Sequence, residues 1–368
     1  MKPVRLHYTN VVGLGALRLL QSLLLPLTLQ ANYRVVNSYV PGVDNPSAPL
    51  PATGSENIHR YRRWLPNALS RFLECSVFGR KFDGDSPLLV LGDIPLRCKS
   101  RQTVFVQTTL LTQGQDNARK LGAVKYWISR WLFRRNQRFA SAFIVQTEWM
   151  KGALVATYPE IQDRVHVVTP PVPDWLTSSG LKRVARNTPT SGNLRLFYPA
   201  AAYPHKNHKL LGEIRDESEW PVSELTLTIP TGLNPNPSAP WIRCVGHLGT
   251  DDVLKAYTSA DALLFLSFTE SYGFPLVEAM TLGLPVLCPN LAYARALCGN
   301  EAVYFDPYDI ASLQAAVLEL KRRVDAGWWP DWSDRLKNIP RDWNEVALRM
   351  LQVTCGERSA SENFQRNP

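Results

Sequence analysis

The sequence predicts an α/β protein of two domains, and three observations lead to this prediction. Short apolar runs of strand length alternate with helical segments in both halves, as in parallel sheets. The 368 residues can bury a sizeable core and exceed a typical single domain. A proline-rich, polar stretch separates the halves. We expect a first domain over residues 1–175, a second over 190–330, and a C-terminal helix and tail over 331–368 that packs back on the first.

The first half begins as a strand, a turn and a helix. Val4–Tyr8 has the pattern of a strand, Gly13 and Gly15 provide the turn, and a leucine-rich helix runs to about Leu25. Residues 41–55 are polar and rich in Pro and Gly, which predicts a surface loop. Further strands are predicted at Leu88–Leu91, Val104–Val106, Phe143–Val145 and Val165–Val168.

The second half repeats the alternation after a linker. The linker starts at Thr169–Pro173 and stays polar to about Gly192. Two helices are predicted, one over 251–257 and one from Pro275. The predicted strands are Leu194–Tyr198, Leu225–Ile229, Trp241–Val245, Ala262–Ser267 and Pro285–Cys288. Two α/β halves of this kind usually bind a ligand between them, which suits a two-substrate enzyme.

The amino-acid composition indicates which cellular compartment and which binding partners to expect. The net charge of +9 and the pI near 9.3 favour a polyanionic partner, whether nucleic acid, anionic lipid or a phosphate-bearing ligand. The six cysteines are scattered without metal-ligand spacing, which favours a reducing cytoplasm and no structural metal. Arg18, Gln21 and Pro26 interrupt the apolar stretch Val11–Leu29, so we expect a soluble protein without a signal peptide or membrane span.

The segment from Leu263 to Met280 carries the clearest chemical pattern, a strand, a loop and a helix. Gly273 permits a tight backbone path, and Pro275 suits the first turn of a helix. The loop and the helix N-terminus therefore offer N–H groups and a dipole that favour a diphosphate. Glu270 can accept hydrogen bonds from sugar hydroxyls, and Glu278, about one helical turn inside, can reach a ribose diol.

The alternative is that Glu270 caps a helix and Glu278 is a solvated surface acid. For an isolated pair of glutamates that alternative is the better one. Here Glu278 stands within the apolar run Phe274–Val277 and Ala279–Met280, where a buried carboxylate without a partner is costly. The surrounding sequence therefore favours a binding site.

This segment resembles the signature of the retaining family 4 glycosyltransferases of the GT-B fold, a glutamate followed by seven residues and a second glutamate. The resemblance is strong from about Leu194 to Asp309 and weaker before it. It implies two Rossmann-like domains that face a central cleft, and an enzyme of the bacterial surface-polysaccharide type. It also implies transfer with retention, in which the acceptor attacks from the face of the departing diphosphate.

The resemblance also implies the site residues. Glu270 and Lys206 would be catalytic, with Lys206 neutralising the diphosphate. The donor contacts would be Glu278, Ser271, Tyr272, Gly273, Phe274, Asn207, His205, Gly13 and Gly15. The co-substrate would be GDP-mannose or a UDP-sugar, with no other cofactor, and the acceptor a glycan or a lipid-linked glycan.

Two positions depart from the family pattern. Ala201 stands where many members have an arginine, so neutralisation of the diphosphate would rest on Lys206 with help from His205 or Asn207. Gln107 stands where many members have a histidine that faces the sugar, and an amide cannot act as a general base at neutral pH. No general base is thereby assigned.

A metal is not expected, since no Asp-x-Asp stands at a strand end. The acidic pair Asp251-Asp252 instead suits the start of a helix. The family is similar in that it does not need a divalent ion.

A basic, aromatic segment spans residues 119–138, within a stretch that has no acidic residue between Asp116 and Glu148. Trp127 and Trp131 recur at helical spacing, and arginines occupy another face. Two interpretations stay open with equal weight. The segment contacts the inner face of the cell membrane, or its tryptophans pack into the first domain.

Two other functions compete with the transferase. A nucleotide-binding or nucleic-acid-binding protein without transferase activity fits the charge, but no RNA-binding or DNA-binding motif is present, so we expect no nucleic acid partner. An oxidoreductase or epimerase that uses a dinucleotide would need Gly-x-Gly-x-x-Gly, and the turn at Gly13 and Gly15 lacks the third glycine.

Overall fold

The computed structural model describes residues 1–9, 11, 14–42, 54–62, 65, 67–112, 123–182, 192–214 and 220–357. The chain divides into two compact units. The first comprises Met1–Pro171 together with Pro340–Pro368, and the second comprises Val172–Ile339. Each unit is built on a parallel sheet.

The first unit has a parallel sheet in the order β3-β2-β1-β4-β5-β6-β7. Its strands are β1 (Lys2–His7), β2 (Tyr33–Pro41), β3 (Asn57–Tyr61), β4 (Leu88–Val90), β5 (Gln102–Phe105), β6 (Ala140–Val145) and β7 (Val165–Val167). The sequence analysis did not predict β2 and β3. Strand β3 was missed because it is a mostly exposed edge strand and lacks the apolar run that marks a buried one.

The helices of the first unit cover its sheet. They are α1 (Leu14–Thr28), α2 (Asn67–Ser76), α3 (Ala123–Asn136) and α4 (Glu148–Thr157). Helix α1 continues through Pro26 to Thr28, past the predicted end at about Leu25. Pro26 stands only two residues before the end, where little helix remains to be disrupted. In the described part of the chain, no helix is both long enough and apolar enough to cross a membrane.

The second unit has a parallel sheet in the order β10-β9-β8-β11-β12-β13. Its strands are β8 (Leu194–Tyr198), β9 (Val222–Leu227), β10 (Ile242–Cys244), β11 (Ala262–Leu264), β12 (Val286–Pro289) and β13 (Val303–Phe305). Its helices are α5 (Asp174–Thr177), α6 (Thr250–Ser259), α7 (Phe274–Leu282), α8 (Ala292–Cys298), α9 (Ile310–Asp325) and α10 (Ser333–Leu336). Helix α11 (Trp343–Cys355) then returns to the first unit and packs on α1.

In both sheets the strand order reverses at one place, between β1 and β4 and between β8 and β11. The loops that follow two such strands diverge to opposite sides of the sheet and leave a crevice at its carboxyl edge. In the second unit these are the loops that contain Lys206 and Glu270. The topology thus places both predicted catalytic residues at the same edge.

An ionic contact fixes the pairing of β8 with β11. Asp261, which is buried, accepts from the backbone N–H of Arg195 at 3.0 Å and from its guanidinium at 3.2 and 3.3 Å. The backbone N–H of Asp261 in turn donates to the carbonyl of Arg195 at 2.7 Å. These bonds lie at the start of the two strands whose carboxyl ends carry the site.

We expect Asp261→Ala to lower the free energy of unfolding by about 1 to 2 kcal/mol, because it leaves the partly buried backbone N–H of Arg195 without this acceptor. Asp261→Asn, which keeps one acceptor oxygen, should lose less. Urea unfolding would measure both. The control is Asp252→Ala, which removes an exposed pair with Lys255 and an exposed acid from the first turn of α6 and should change stability less. Equal losses in Asp261→Ala and Asp252→Ala would contradict this assignment.

Candidate active site

Lys206 lies on a short turn after β8. A 3₁₀ turn, Pro204–Lys206, is followed by Asn207 in the left-handed conformation at φ 55°, which Asn tolerates better than most residues. The buried amide of Asn207 donates to the carbonyl of Pro307 at 3.0 Å. The turn is therefore anchored to the loop after β13, and the position of Lys206 follows from backbone geometry.

The loops after β8 and β11 are joined by hydrogen bonds. The backbone N–H of Phe268 donates to the carbonyl of His205 at 2.8 Å. The buried hydroxyl of Tyr198 donates to the carbonyl of Lys206 at 2.8 Å and lies 3.2 Å from the hydroxyl of Ser267. The two loops consequently form one structural element, which we call the loop junction (residues 198–208 and 265–273).

The loop junction brings Lys206 and Glu270 into an ion pair. Nζ of Lys206 lies 2.5 Å from Oε1 of Glu270, and the two side chains are 15% and 14% exposed. Each charge compensates the other in a place where water reaches little of either. An anion that binds Lys206 must therefore compete with Glu270, and Glu270 then becomes available to other donors.

Helix α7 begins directly after this loop. Gly273, its N-cap residue, has φ 90° and ψ 53°, a conformation that L side chains rarely adopt. The N-cap has no side chain that accepts from the first turn, and that turn has no acidic residue. The helix thus presents the positive end of its dipole at the carboxyl edge of the sheet without an internal anion.

Glu278 lies inside α7 and bonds to the neighbouring helix α6. One carboxylate oxygen accepts from the hydroxyl of buried Tyr257 at 2.7 Å. Burial, and then the charge of Glu278, raise the pKa of Tyr257 well above its ordinary value, so the phenol remains a donor. Burial and the same carboxylate also raise the pKa of Tyr272. Glu278 is thus an oriented, partly buried acid, and the interpretation as a fully solvated surface acid does not apply.

The remaining second-unit residues predicted from the sequence lie on the loop junction or at the start of α7. The ring of His205 stacks on Tyr203, with centroids 5.7 Å apart and planes 8° apart. Tyr272 contacts Phe274 edge to face at 4.8 Å. Ser271 and Gly273 connect Glu270 to the helix. Ala201, at the departure from the family pattern, is exposed on the same loop.

The site residues predicted in the first unit are Gly13, Gly15 and Gln107. Gly13 lies outside the described residues. Gly15 belongs to the first turn of α1 rather than to the turn before it, and an added Cβ would meet open space. The side-chain amide of Gln107 donates to the carbonyl of Leu91 at 3.0 Å, and its backbone N–H donates to Asp93 at 2.7 Å. Gln107 thus connects the loops after β4 and β5.

Several residues that support the site were missed by the sequence analysis. Tyr198 and Tyr257 hold Lys206 and Glu278 through their hydroxyls, and the hydroxyl of Tyr293 donates to the carbonyl of Ser267. Phe268 belongs to the loop junction itself. The sequence offered a weak signal at most, because an isolated tyrosine in an apolar run is usually a core residue.

His208 is the last residue of the first loop of the junction, and its ring packs against Tyr198. It is 9% exposed, its ring lies 5.0 Å from that of Tyr198, and its Nε2 has no hydrogen-bond partner in the described structure. Burial, and then the charge of Lys206, lower the pKa of His208 to about 4. The ring is therefore neutral at physiological pH.

The described residues contain no group of three or more His, Cys, Asp or Glu side chains that could hold a metal ion. The expectation of a metal-free site stays a prediction.

Comparison with known proteins connects this site to a family. Residues 241–323 match the family model "Glycosyl transferases group 1". The match includes the loop after β11, Glu270, α7 and Glu278, whereas Lys206 precedes it. The family resemblance found in the sequence is confirmed in this segment.

A curated relative matches in the same way, over a short stretch. It is the O-antigen chain mannosyltransferase B of Escherichia coli, 33% identical over 79 residues, which are 22% of this chain. The match covers 21% of that protein, so the chain spans about a fifth of the length of this relative.

Solved structures match along nearly the whole chain at low identity. The lipopolysaccharide outer core galactosyltransferase WaaB has a TM-score of 0.56 and 13% identity, over 95% of this chain and 99% of that chain. Anabaena HepE in complex with UDP has a TM-score of 0.54 and 12% identity, over 100% of both chains. The fold is therefore GT-B with two Rossmann-like α/β domains, as predicted.

His208 gives the site a testable dependence on pH. Its pKa in the folded protein is about 4, below the ordinary 6.5 that it recovers on unfolding. The unfolded chain therefore takes up the proton first as pH falls from 6.5 to 4. We expect this group to cost up to about 3 kcal/mol of stability near pH 4 and nothing above pH 7.

Urea unfolding at pH 7.5, 5.5 and 4.5 would measure this cost in the wild type and in His208→Phe. Phe preserves an aromatic ring against Tyr198 and cannot take up a proton. The variant should lose less stability on acidification, while other titrating groups affect both proteins alike. Parallel pH curves would contradict the assignment.

Proposed function

We propose that this protein is a retaining glycosyltransferase that transfers a hexosyl group, mannosyl or similar, from a nucleoside diphosphate sugar. The acceptor is a glycan or a lipid-linked glycan in the synthesis of surface polysaccharide or glycolipid. One observation carries the proposal. Lys206 and Glu270 form an ion pair at the carboxyl edge of the second sheet, beside the N-terminus of the helix that contains Glu278.

Each group has a role that its chemistry suits. Lys206 and the N-terminus of α7 bind the diphosphate and stabilise the negative charge that develops as it leaves. Glu270 accepts hydrogen bonds from hydroxyls of the transferred sugar. Glu278, already oriented by Tyr257, accepts from the ribose diol.

Donor binding exchanges one ion pair for another. The diphosphate takes Lys206 from Glu270, and the freed carboxylate turns to the sugar hydroxyls. Lys206 stays paired throughout, so no buried charge is left without a partner. This exchange lowers the affinity for the donor, because the donor must displace Glu270 from Lys206.

The departures at Ala201 and Gln107 fit a reaction that relies on positioning. With no arginine at Ala201, His205 assists Lys206 from the same loop. With no base at Gln107, the departing diphosphate itself accepts the acceptor proton, on the face from which the acceptor attacks. Catalysis then comes from orientation and from charge stabilisation.

The substrate class rests on the relatives. The E. coli relative is named an O-antigen chain mannosyltransferase, which favours a mannosyl donor such as GDP-mannose. WaaB is named a lipopolysaccharide galactosyltransferase, and HepE was crystallised with UDP, which keep a UDP-sugar as the second donor. The names of the E. coli relative and of WaaB also favour an enzyme of surface glycan synthesis, and we propose that it acts in the cytoplasm.

The second candidate is a GT-B protein that binds a nucleotide or nucleic acid without transfer. It is favoured by Ala201 and by Gln107, whose amide is committed to the carbonyl of Leu91. Nucleotide binding alone therefore does not decide between the two, and turnover must be measured.

We also propose that the first unit rests on the anionic inner face of the cell membrane through α3. Trp127 and Trp131 are 64% and 41% exposed, so they do not pack fully into the first domain. Arg134 and Arg135 are exposed on the same helix, and the latter lies over the ring of Trp131. Exposed tryptophans beside arginines suit the interface of an anionic bilayer. Lys125 and residues 119–122 contribute nothing to this argument because their side chains lie outside the described part.

The first test is thermal stabilisation of the metal-free protein by UDP, GDP, dTDP, ADP, NAD and a short single-stranded oligonucleotide. One nucleoside diphosphate should raise Tm by about 5 °C or more at a hundredfold excess over Kd. Lys206→Gln and Glu278→Ala should lose the shift. Glu270→Gln should keep or increase it, because it removes the competitor for Lys206, yet should transfer no sugar.

The matched controls are Lys209→Gln and Glu213→Gln, exposed residues on the turn that follows Lys206, and both should behave as the wild type. A shift with NAD or the oligonucleotide alone would overturn the proposal. A nucleotide shift without any transfer from GDP-mannose or the UDP-sugars to glycan acceptors would favour the second candidate.

Sedimentation with vesicles tests the membrane contact. The protein should bind phosphatidylglycerol vesicles at low salt and bind phosphatidylcholine vesicles much less. Trp127→Ser with Trp131→Ser, and separately Arg134→Gln with Arg135→Gln, should each weaken binding by about tenfold. The control is Leu318→Ser, an apolar residue on α9 that is 50% exposed. Unchanged binding in both double variants would refute this surface.

A further inference from the structure

Phe268 of the loop junction and Tyr308 form a stacked pair of aromatic rings, to which the function described so far assigns no ligand. The rings of Phe268 and Tyr308 lie 5.0 Å apart with planes at 19°. Tyr308 is nevertheless 60% exposed, so much of its surface faces solvent. A large aromatic ring held in this way is both rigid and accessible.

The backbone fixes this pair close to the ion pair. Phe268 precedes Glu270 by two residues, and its N–H donates to the carbonyl of His205 at 2.8 Å. Tyr308 follows Pro307, whose carbonyl accepts the amide of Asn207 at 3.0 Å. Tyr308 is thus joined to the loop junction on both sides of Lys206.

A local turn also holds Tyr308 itself. Its backbone N–H donates to the carboxylate of Asp306 at 2.9 Å. The turn and the ring of Phe268 together restrict the orientation of Tyr308. Little side-chain entropy then remains to be lost when a ligand covers the ring.

We propose that Tyr308, backed by Phe268, is a stacking platform for a pyranose ring bound beside the Lys206–Glu270 pair. The proposal rests on the proposed function and adds a contact that selects the sugar. The negative face of an aromatic ring attracts the weakly positive C–H bonds of a pyranose and removes their apolar area from water. Glu270, two residues from Phe268, would accept from the hydroxyls at the edge of the same sugar.

The position on the loop junction favours a sugar over a nucleobase. Glu278, the acid assigned to the ribose, is bonded to Tyr257 of α6, whereas Tyr308 is tied to the turn that carries Lys206. The base lies beyond the ribose, away from the diphosphate. The pyranose belongs either to the donor or to the acceptor, and binding measurements distinguish these two sources.

Calorimetry on the full chain tests the donor source, with GDP against GDP-mannose and UDP against UDP-glucose. Tyr308→Ala should bind GDP or UDP as the wild type does but bind the nucleotide sugar about three- to tenfold more weakly. Tyr308→Phe, which retains the ring face, should match the wild type. The control is Leu233→Ala, which removes an exposed apolar side chain elsewhere in the second unit.

Saturation-transfer NMR with methyl α-D-mannopyranoside tests the acceptor source, with and without GDP. Loss of the signal in Tyr308→Ala, with retention in Tyr308→Phe and Leu233→Ala, would support an acceptor platform. The platform is refuted if Tyr308→Ala leaves unchanged both the preference for the nucleotide sugar over the nucleoside diphosphate and the NMR signal. It is also refuted if the variant binds the nucleoside diphosphate and the nucleotide sugar more weakly by the same factor. A wild type that binds no nucleotide at all would instead overturn the proposed function.

Discussion

The hydrogen-bonded loop junction is the constraint on which the site depends. Two loops that follow non-consecutive strands are held together by the N–H of Phe268 on the carbonyl of His205 and by the hydroxyl of Tyr198 on the carbonyl of Lys206. The pairing of β8 with β11 brings these loops to one edge of the sheet. Without that pairing, Lys206 and Glu270 would be separated charges on independent loops.

The loop junction brings Lys206 and Glu270 together, and their ion pair explains which charges the surrounding residues carry. Two opposite charges with little exposure are tolerable because each compensates the other. A second cation in the same place is not, and His208, buried on the same loop, accordingly stays neutral with a pKa lowered to about 4. Among the described residues, the site therefore has one cation, Lys206, which can exchange the carboxylate of Glu270 for a phosphate as its partner.

The two units differ in how much of the expected chemistry they carry. In the second unit, the loop junction and α7 bring together charged, aromatic and hydroxyl groups, and residues 241–323, which include Glu270 and Glu278, match the family model. In the first unit, Gln107 bonds to Leu91 and Asp93, and Asp93 also pairs with Arg71, so Asp93 links the two residues. The exposed tryptophans of α3 are instead the distinctive feature of the first unit.

The sequence by itself determined the α/β alternation, the GT-B resemblance and the segment from Glu270 to Glu278, because these depend on local spacing and on residue type. It failed at β3, an exposed edge strand without an apolar run, and at the end of α1, which continues past Pro26 to Thr28. Only the tertiary structure decided that Lys206 meets Glu270, that Tyr257 orients Glu278, and that Tyr308 stacks on Phe268. Those contacts join residues that lie 64, 21 and 40 positions apart, and parallel strand order, rather than local sequence, brings such residues together.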